Sequence, residues 1–173
     1  VESVYRAYLR WLATQLPGAG DQLVNQHGTC SMLDGILISF KELHARRAPG
    51  KACLSSLQSG VMGTRQQPVN NSKGCGGVMR VAPVGLAWPG DPFPYACQVA
   101  ALTHGHPTGY LAAGCMALII SEISFGAELP AAVRTAIRVL ESRPRHEECL
   151  TALNAALNHG ETSAAPHADV DHA

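Results

Sequence analysis

The stretch Gly109-Tyr110-Leu111-Ala112-Ala113-Gly114-Cys115-Met116-Ala117-Leu118-Ile119-Ile120-Ser121-Glu122-Ile123-Ser124 decides the fold. Its apolar side chains, Tyr110, Leu111, Met116, Leu118, Ile119, Ile120 and Ile123, are not confined to one stripe. A helix that is hydrophobic nearly all round has no face to give to water and belongs at the buried centre of a bundle. Pro107 just before it suits a first helical turn, where a backbone N–H has no partner to lose. No apolar run in the chain reaches about 18 residues without interruption, so a transmembrane helix is not expected.

Working outward, the elements on either side read as amphipathic helices that could cover such a centre. Towards the C-terminus, Leu129, Val133, Ala136, Ile137 and Leu140 form one stripe, and Cys149, Leu150, Leu153 and Leu157 another. Towards the N-terminus, a helix from about Tyr95 to Thr103 carries Val99 and Leu102 inward, after a rigid turn at Trp88-Pro89-Gly90-Asp91-Pro92-Phe93-Pro94. Val4, Tyr5, Tyr8, Leu9, Leu12 and Leu16 fall at helical spacing with Arg6 and Arg10 opposite, and Pro17-Gly18 ends that helix. Ser31-Met32-Leu33-Asp34 reads as a capping box for a second helix in which Leu33, Ile36, Leu37 and Phe40 recur at i, i+3, i+4 and i+7. A short helix from about Ala52 to Ser59 follows the turn at Arg46-Arg47-Ala48-Pro49-Gly50. No segment reads convincingly as a strand. The expectation is an all-α fold, a multi-helix orthogonal bundle, with residues 1–160 as one domain and 161–173 as a frayed tail without period.

Between Gly60 and Gly76 the hydrophobic period disappears. Irregular loops of this length in a compact domain are usually functional or disordered. This one ends in Asn70-Asn71-Ser72-Lys73-Gly74-Cys75-Gly76-Gly77-Val78-Met79-Arg80-Val81-Ala82-Pro83. Glycine permits positive φ and lets backbone N–H groups approach a ligand with no Cβ in the way. Consecutive amides in such a bend, running into a helix that starts near Gly77, make a concave donor surface suited to phosphate. The other reading is a loop that needs tight turns for its own sake. The spacing is neither G-x-G-x-x-G after a strand nor G-x-x-x-x-G-K-[ST], so neither a Rossmann fold nor a P-loop is indicated. Pro83 and Gly85 are expected to interrupt the helix, Met79 to pack inward, and Arg80 either to meet an anion or to tie neighbouring carbonyls together.

The bulk properties exclude several partners. The formal net charge is zero, from 13 basic and 13 acidic residues, and no Lys/Arg run exceeds Arg46-Arg47. Neither nucleic acid nor an anionic membrane is therefore an expected partner. Six cysteines stand singly, with no C-x-x-C and no Cys–His pair at zinc spacing. They read mostly as small apolar core residues in a reducing cytoplasm. A first helix that begins without its preceding turn suggests a fragment.

Ser72-Lys73-Gly74-Cys75-Gly76-Gly77-Val78-Met79-Arg80-Val81-Ala82-Pro83, followed by Ala101-Leu102-Thr103-His104-Gly105-His106-Pro107-Thr108-Gly109-Tyr110, resembles the central part of the ADP-ribosylglycohydrolase family. That family includes the dinitrogenase reductase-activating glycohydrolases and carries a G-N-G-x-x-M-R loop with a downstream T-H motif. The resemblance runs from about Tyr5 to about Leu157, and Cys75 stands where many members have Asn. It implies an all-α fold and hydrolysis of an ADP-ribosyl bond with a pair of Mg2+ ions. By the same resemblance, Ser72, Lys73, Gly74, Cys75, Gly76 and Gly77 hold the phosphates of ADP-ribose or of an ADP-ribosylated substrate, and His104 adds a polar contact. A histidine at a helix end can equally be a cap or a packed residue; His106 is left as solvated.

The family's metal elements, a T-D-D-T type before the first helix and a D-x-D-[ST] type near the C-terminus, have no match here. The single D-x-D, Asp169-Val170-Asp171, lacks the following Ser or Thr, and a hard dication needs several converging oxygens. No catalytic residue and no metal ligand is assigned. The chain is expected to be inactive alone, with a non-catalytic ADP-ribose-binding or crystallin-like structural role as the alternative. Faces uncovered by missing segments would favour self-association.

Overall fold

The computed structural model describes residues 1–16, 18, 25 and 35–163, and among them every regular element is a helix. The chain is all-α. In order, the elements are α1 (Glu2–Gln15), two 3-10 turns (Ile36–Ser39 and Lys41–Leu43), α2 (Lys51–Gln58), α3 (Gly76–Met79), α4 (Ala82–Ala87), α5 (Pro92–Ala101), α6 (Pro107–Ser124), α7 (Leu129–Glu141) and α8 (Glu147–Ser163).

α6 is the axis of the bundle and packs against α3, α4, α5, α7 and α8. Tyr110, Leu111, Ala113, Cys115, Ala117 and Leu118 are buried in it, together with Phe93 and Cys97 of α5, Ala136 and Leu140 of α7 and Cys149 of α8. Each large side chain so buried is worth about 1.5 to 3 kcal/mol. Burial is not complete around α6: Met116 and Ile123 keep 38% and 43% of their surface. Close approach depends on small residues. A Cβ at Gly114 would stand 2.6 Å from Cys97 Sγ and 3.1 Å from the Phe93 ring. A second cluster joins α1 to α2 through Tyr5, Leu9, Leu12, Leu54 and Leu57, with Leu102 from the end of α5.

Local structure departs from the periodicity in several places. The helix at the glycine bend is short as expected, but it ends at Met79, ahead of Pro83, and Pro83 and Gly85 belong to the next helix, α4. Pro83 lies in the first turn, where its missing N–H costs nothing, and Gly85 lets α4 approach the Ala117 carbonyl of α6. Met79 is 72% exposed rather than packed inward, because the single turn of α3 buries Gly77 instead. α5 begins three residues earlier than expected, since the Asp91 carboxylate accepts from Phe93 N at 3.0 Å and prolines favour the first turn. The Ser31–Asp34 capping box lies outside the described residues. Ile36 and Leu37 lie in a 3-10 turn and Phe40 just beyond it, all exposed, behind a Gly35 whose φ of 114° does not continue a helix. Leu129 is exposed, and the inward stripe of α7 is Ala132, Ala136, Ile137 and Leu140. α8 runs to Ser163; Asp169 and Asp171 lie outside the described residues.

The described cysteines are all free thiols, of which Cys97, Cys115 and Cys149 are buried, Cys53 is half-buried and Cys75 is exposed. Among the described residues no helix is long and apolar enough to cross a membrane.

Candidate functional site

The glycine bend sits on the turn between α5 and α6, and a few polar side chains fasten the two together. α5 ends at Ala101, and Thr103, His104 and Gly105 follow, all buried. Asn70 holds the loop to this turn. Its Nδ2 donates to Thr103 O at 2.9 Å and Ser56 Oγ at 2.7 Å, while its Oδ1 accepts from Ser72 N at 2.9 Å and Gly105 N at 3.1 Å. One side chain thus uses both ends of its amide to satisfy backbone groups that burial would otherwise leave unpaired. His106 is not simply solvated: its Nδ1 accepts from Thr108 N at 3.1 Å and caps α6.

His104 forms the floor of the bend. A Cβ on Gly76 would lie 3.1 Å from His104 Cε1 and 3.2 Å from both Nε2 and Cys53 Sγ; one on Gly74 would lie 3.7 Å from Nε2, and one on Gly77 3.5 Å from Cγ and Nδ1. None of these three glycines has positive φ. What the bend requires of them is an absent side chain, because the imidazole already fills that space. Burial first, and the nearby Arg80 guanidinium second, push the His104 pKa down from 6.5 to about 4. The ring is therefore neutral near pH 7.

Arg80 resolves in favour of the strut. Its Nη2 donates to Val99 O at 3.1 Å, Ala100 O at 3.3 Å and Thr103 Oγ1 at 2.7 Å, and its Cζ stands 4.6 Å over the Tyr8 ring. These carbonyls lie in the last turn of α5, at the negative end of the helix dipole, and Ala100 O also accepts from Thr103 N and His104 N. On the outer side, Lys73 Nζ pairs with Glu148 Oε1 at 2.5 Å, and Thr108 Oγ1 donates to Glu148 Oε2 at 2.9 Å. These two donors hold the Glu148 carboxyl below the usual carboxylate range. The Lys73 charge is thus already neutralised at rest.

The structure therefore gathers Ser72, Gly74, Gly76, Gly77 and His104 into one contact set, with Lys73, Gly74 and Cys75 exposed on its rim. Gly74 N donates to Ser72 Oγ at 3.3 Å. The amides of Lys73, Cys75, Gly76 and Gly77 have no hydrogen-bond partner among the described residues. Sequence reasoning did not assign Asn70, Thr103 or Glu148 any part. An asparagine two residues before a serine is a local turn signal that could have singled out Asn70; nothing local signals Glu148, which meets Lys73 across 75 positions.

A roomier cavity of about 530 Å3 lies elsewhere, between α1 and residues 35–49, lined by Trp11, Ile36, Leu37 and Leu43 among others. It has apolar walls and gathers no set of ionisable groups beyond Arg10, Glu42 and Arg47. The glycine bend, where polar contacts converge, is the better candidate.

The fold is an all-α domain in which an exposed glycine bend rests on a buried neutral histidine. The profile of the ADP-ribosylglycohydrolase family matches residues 1–172, and the chain belongs to that family. No curated protein and no solved structure matches it. The family is one of glycohydrolases and is generally metal-dependent. Among the described residues no group of three or more His, Cys, Asp or Glu side chains comes together to hold a metal ion, and none of them is assigned to one.

Proposed function

We propose that the outer face of the glycine bend binds the diphosphate of ADP-ribose, in a hydrolase that cleaves an ADP-ribosyl glycosidic bond with Mg2+. The observation that carries this reading is the set of amides at Lys73, Cys75, Gly76 and Gly77, which find no partner among the described residues beside an exposed rim. Backbone donors in that state favour an anion. Ser72 and His104 would add polar contacts, and Lys73 would bring charge once released from Glu148.

Cleavage of the ribosyl bond develops oxocarbenium-like charge, which a metal and carboxylates stabilise. The described residues fit binding and orientation and not that task, so no chemical step is assigned to them. Hence the chain is expected to bind ADP-ribose while releasing little or none from a modified protein, even with added Mg2+. The test is calorimetric titration with ADP-ribose of the wild type and of Gly76→Val, which drives a side chain against His104 and Cys53 beneath the bend, with circular dichroism to establish that the variant is folded. Binding that disappears in the variant supports the reading.

The second reading, a structural relative without ligand, is favoured by the close fit of the glycines over His104, which accounts for them without any anion. A well-folded chain that gives no heat with ADP-ribose would establish it. A cytoplasmic location is part of this proposal, and the free thiols of the described cysteines are compatible with it. Self-association is proposed from exposed Ile123, Phe125 and Leu129 at one end of the bundle.

A further inference from the structure

We propose that Arg80 and Thr103 are positioning residues that hold His104 as the Nε2–H tautomer, so that the ring offers one fixed, uncharged donor through the gap between Gly74 and Gly76 to an oxygen of the bound ligand. The ligand half of this inference rests on the ADP-ribose reading; the tautomer half does not.

The argument is a count of protons. Arg80 can only donate, and its Nη2 lies 2.7 Å from Thr103 Oγ1, so the hydroxyl oxygen accepts there. The other partner of Oγ1 is His104 Nδ1 at 2.8 Å. Thr103 is fully buried, and its hydroxyl hydrogen has no further acceptor among the described residues. If Nδ1 carried the proton, Oγ1 would receive two donors and its own hydrogen would point at nothing, which a buried group pays for. The arrangement that gives the hydroxyl hydrogen an acceptor runs from Arg80 to Thr103 to Nδ1, although Arg80 Nε–H stays buried without a partner. A neutral imidazole with an unprotonated Nδ1 must carry its hydrogen on Nε2. Burial and the Arg80 charge both oppose a second proton on the ring.

Arg80 itself cannot readily turn away. Besides Thr103 it donates to Val99 O and Ala100 O, contacts Cys53 Sγ at 3.6 Å through Nη1, and lies over Tyr8. Nε2, the nitrogen left to donate, has no partner among the described residues, and what separates it from the rim is two glycines. A Cβ on Gly76 would stand 3.2 Å from it. His104 keeps 2% of its surface and Nε2 is not one of the fully buried atoms left without a partner, so an acceptor from outside can reach it between the two glycines.

The test is a long-range proton–nitrogen NMR spectrum of the full chain, uniformly labelled with nitrogen-15, at neutral pH. The His104 signals are assigned by their loss in His104→Gln. The expected wild-type result is a pyridine-type Nδ1 and a pyrrole-type Nε2. Thr103→Val, which removes the hydroxyl and keeps the shape, should mix the tautomers and weaken ADP-ribose binding about tenfold, one lost hydrogen bond in the binding equilibrium. Thr103→Ser should restore both. A wild-type ring protonated on Nδ1, or charged, would overturn the proposal with no variant needed, as would a Thr103→Val spectrum that keeps the wild-type pattern. A wild type that shows the expected tautomer but does not bind ADP-ribose would overturn the functional reading and the ligand half, and would leave the positioning by Arg80 and Thr103 standing.

Discussion

A methyl group on residue 76 would come within 3.1 Å of the His104 ring and 3.2 Å of Cys53 Sγ, closer than either neighbour tolerates without moving. Gly76→Ala should therefore destabilise the fold by about 1–3 kcal/mol, the usual cost of an inserted carbon in a packed site. Chemical denaturation would read it, and an unchanged midpoint would mean that the imidazole shifts freely. His104 predicts a pH dependence. Its folded pKa of about 4 lies below the ordinary 6.5, so the unfolded chain binds the extra proton first. The contribution to stability is full above 6.5 and is lost as the pH falls towards about 4, on the order of 3 kcal/mol in total. His104→Gln should flatten the stability curve across that window, and an equal slope in both proteins would refute the buried neutral ring. The T-H pair made His104 legible through resemblance. Its use of Thr103 was not, because that depends on Arg80 arriving from 23 positions away.

At the level of elements, α6 should carry more of the stability than any helix at the rim. Leu111 is 1% exposed within its core, whereas Leu129 at the start of α7 is 57% exposed. Leu111→Ala should cost about 2–5 kcal/mol and Leu129→Ala less than about 0.5 kcal/mol. Comparable losses of thermal stability would contradict a bundle centred on α6. The long periodic helices were legible because burial on one side imposes a 3.6-residue recurrence on the residues themselves. α4 was not, since Pro83 and Gly85 break helices in isolation. In the bundle one occupies a first turn and the other makes room for α6. The apolar positions around Ile36 misled for the opposite reason: spacing cannot reveal that Gly35 takes a φ no helix uses.

At the scale of the molecule, binding and chemistry separate. The described residues assemble a floor, a strut and a rim of backbone donors, and no cluster of acids. The chain incubated with an ADP-ribosylated protein and Mg2+ should release no ADP-ribose above background, and measurable release would show that the reacting groups lie within it. The family and the loop were readable from the order and spacing of two motifs, whose glycines and T-H pair are contiguous in the chain. The fastening of the loop was not, since Asn70 meets Thr103 across 33 positions and Lys73 meets Glu148 across 75. Calorimetric titration of the folded chain with ADP-ribose tests the central claim most directly. Saturable heat in the wild type that vanishes in a folded Gly76→Val protein is the result expected here, and a flat titration of a cooperatively folded wild-type protein would contradict it.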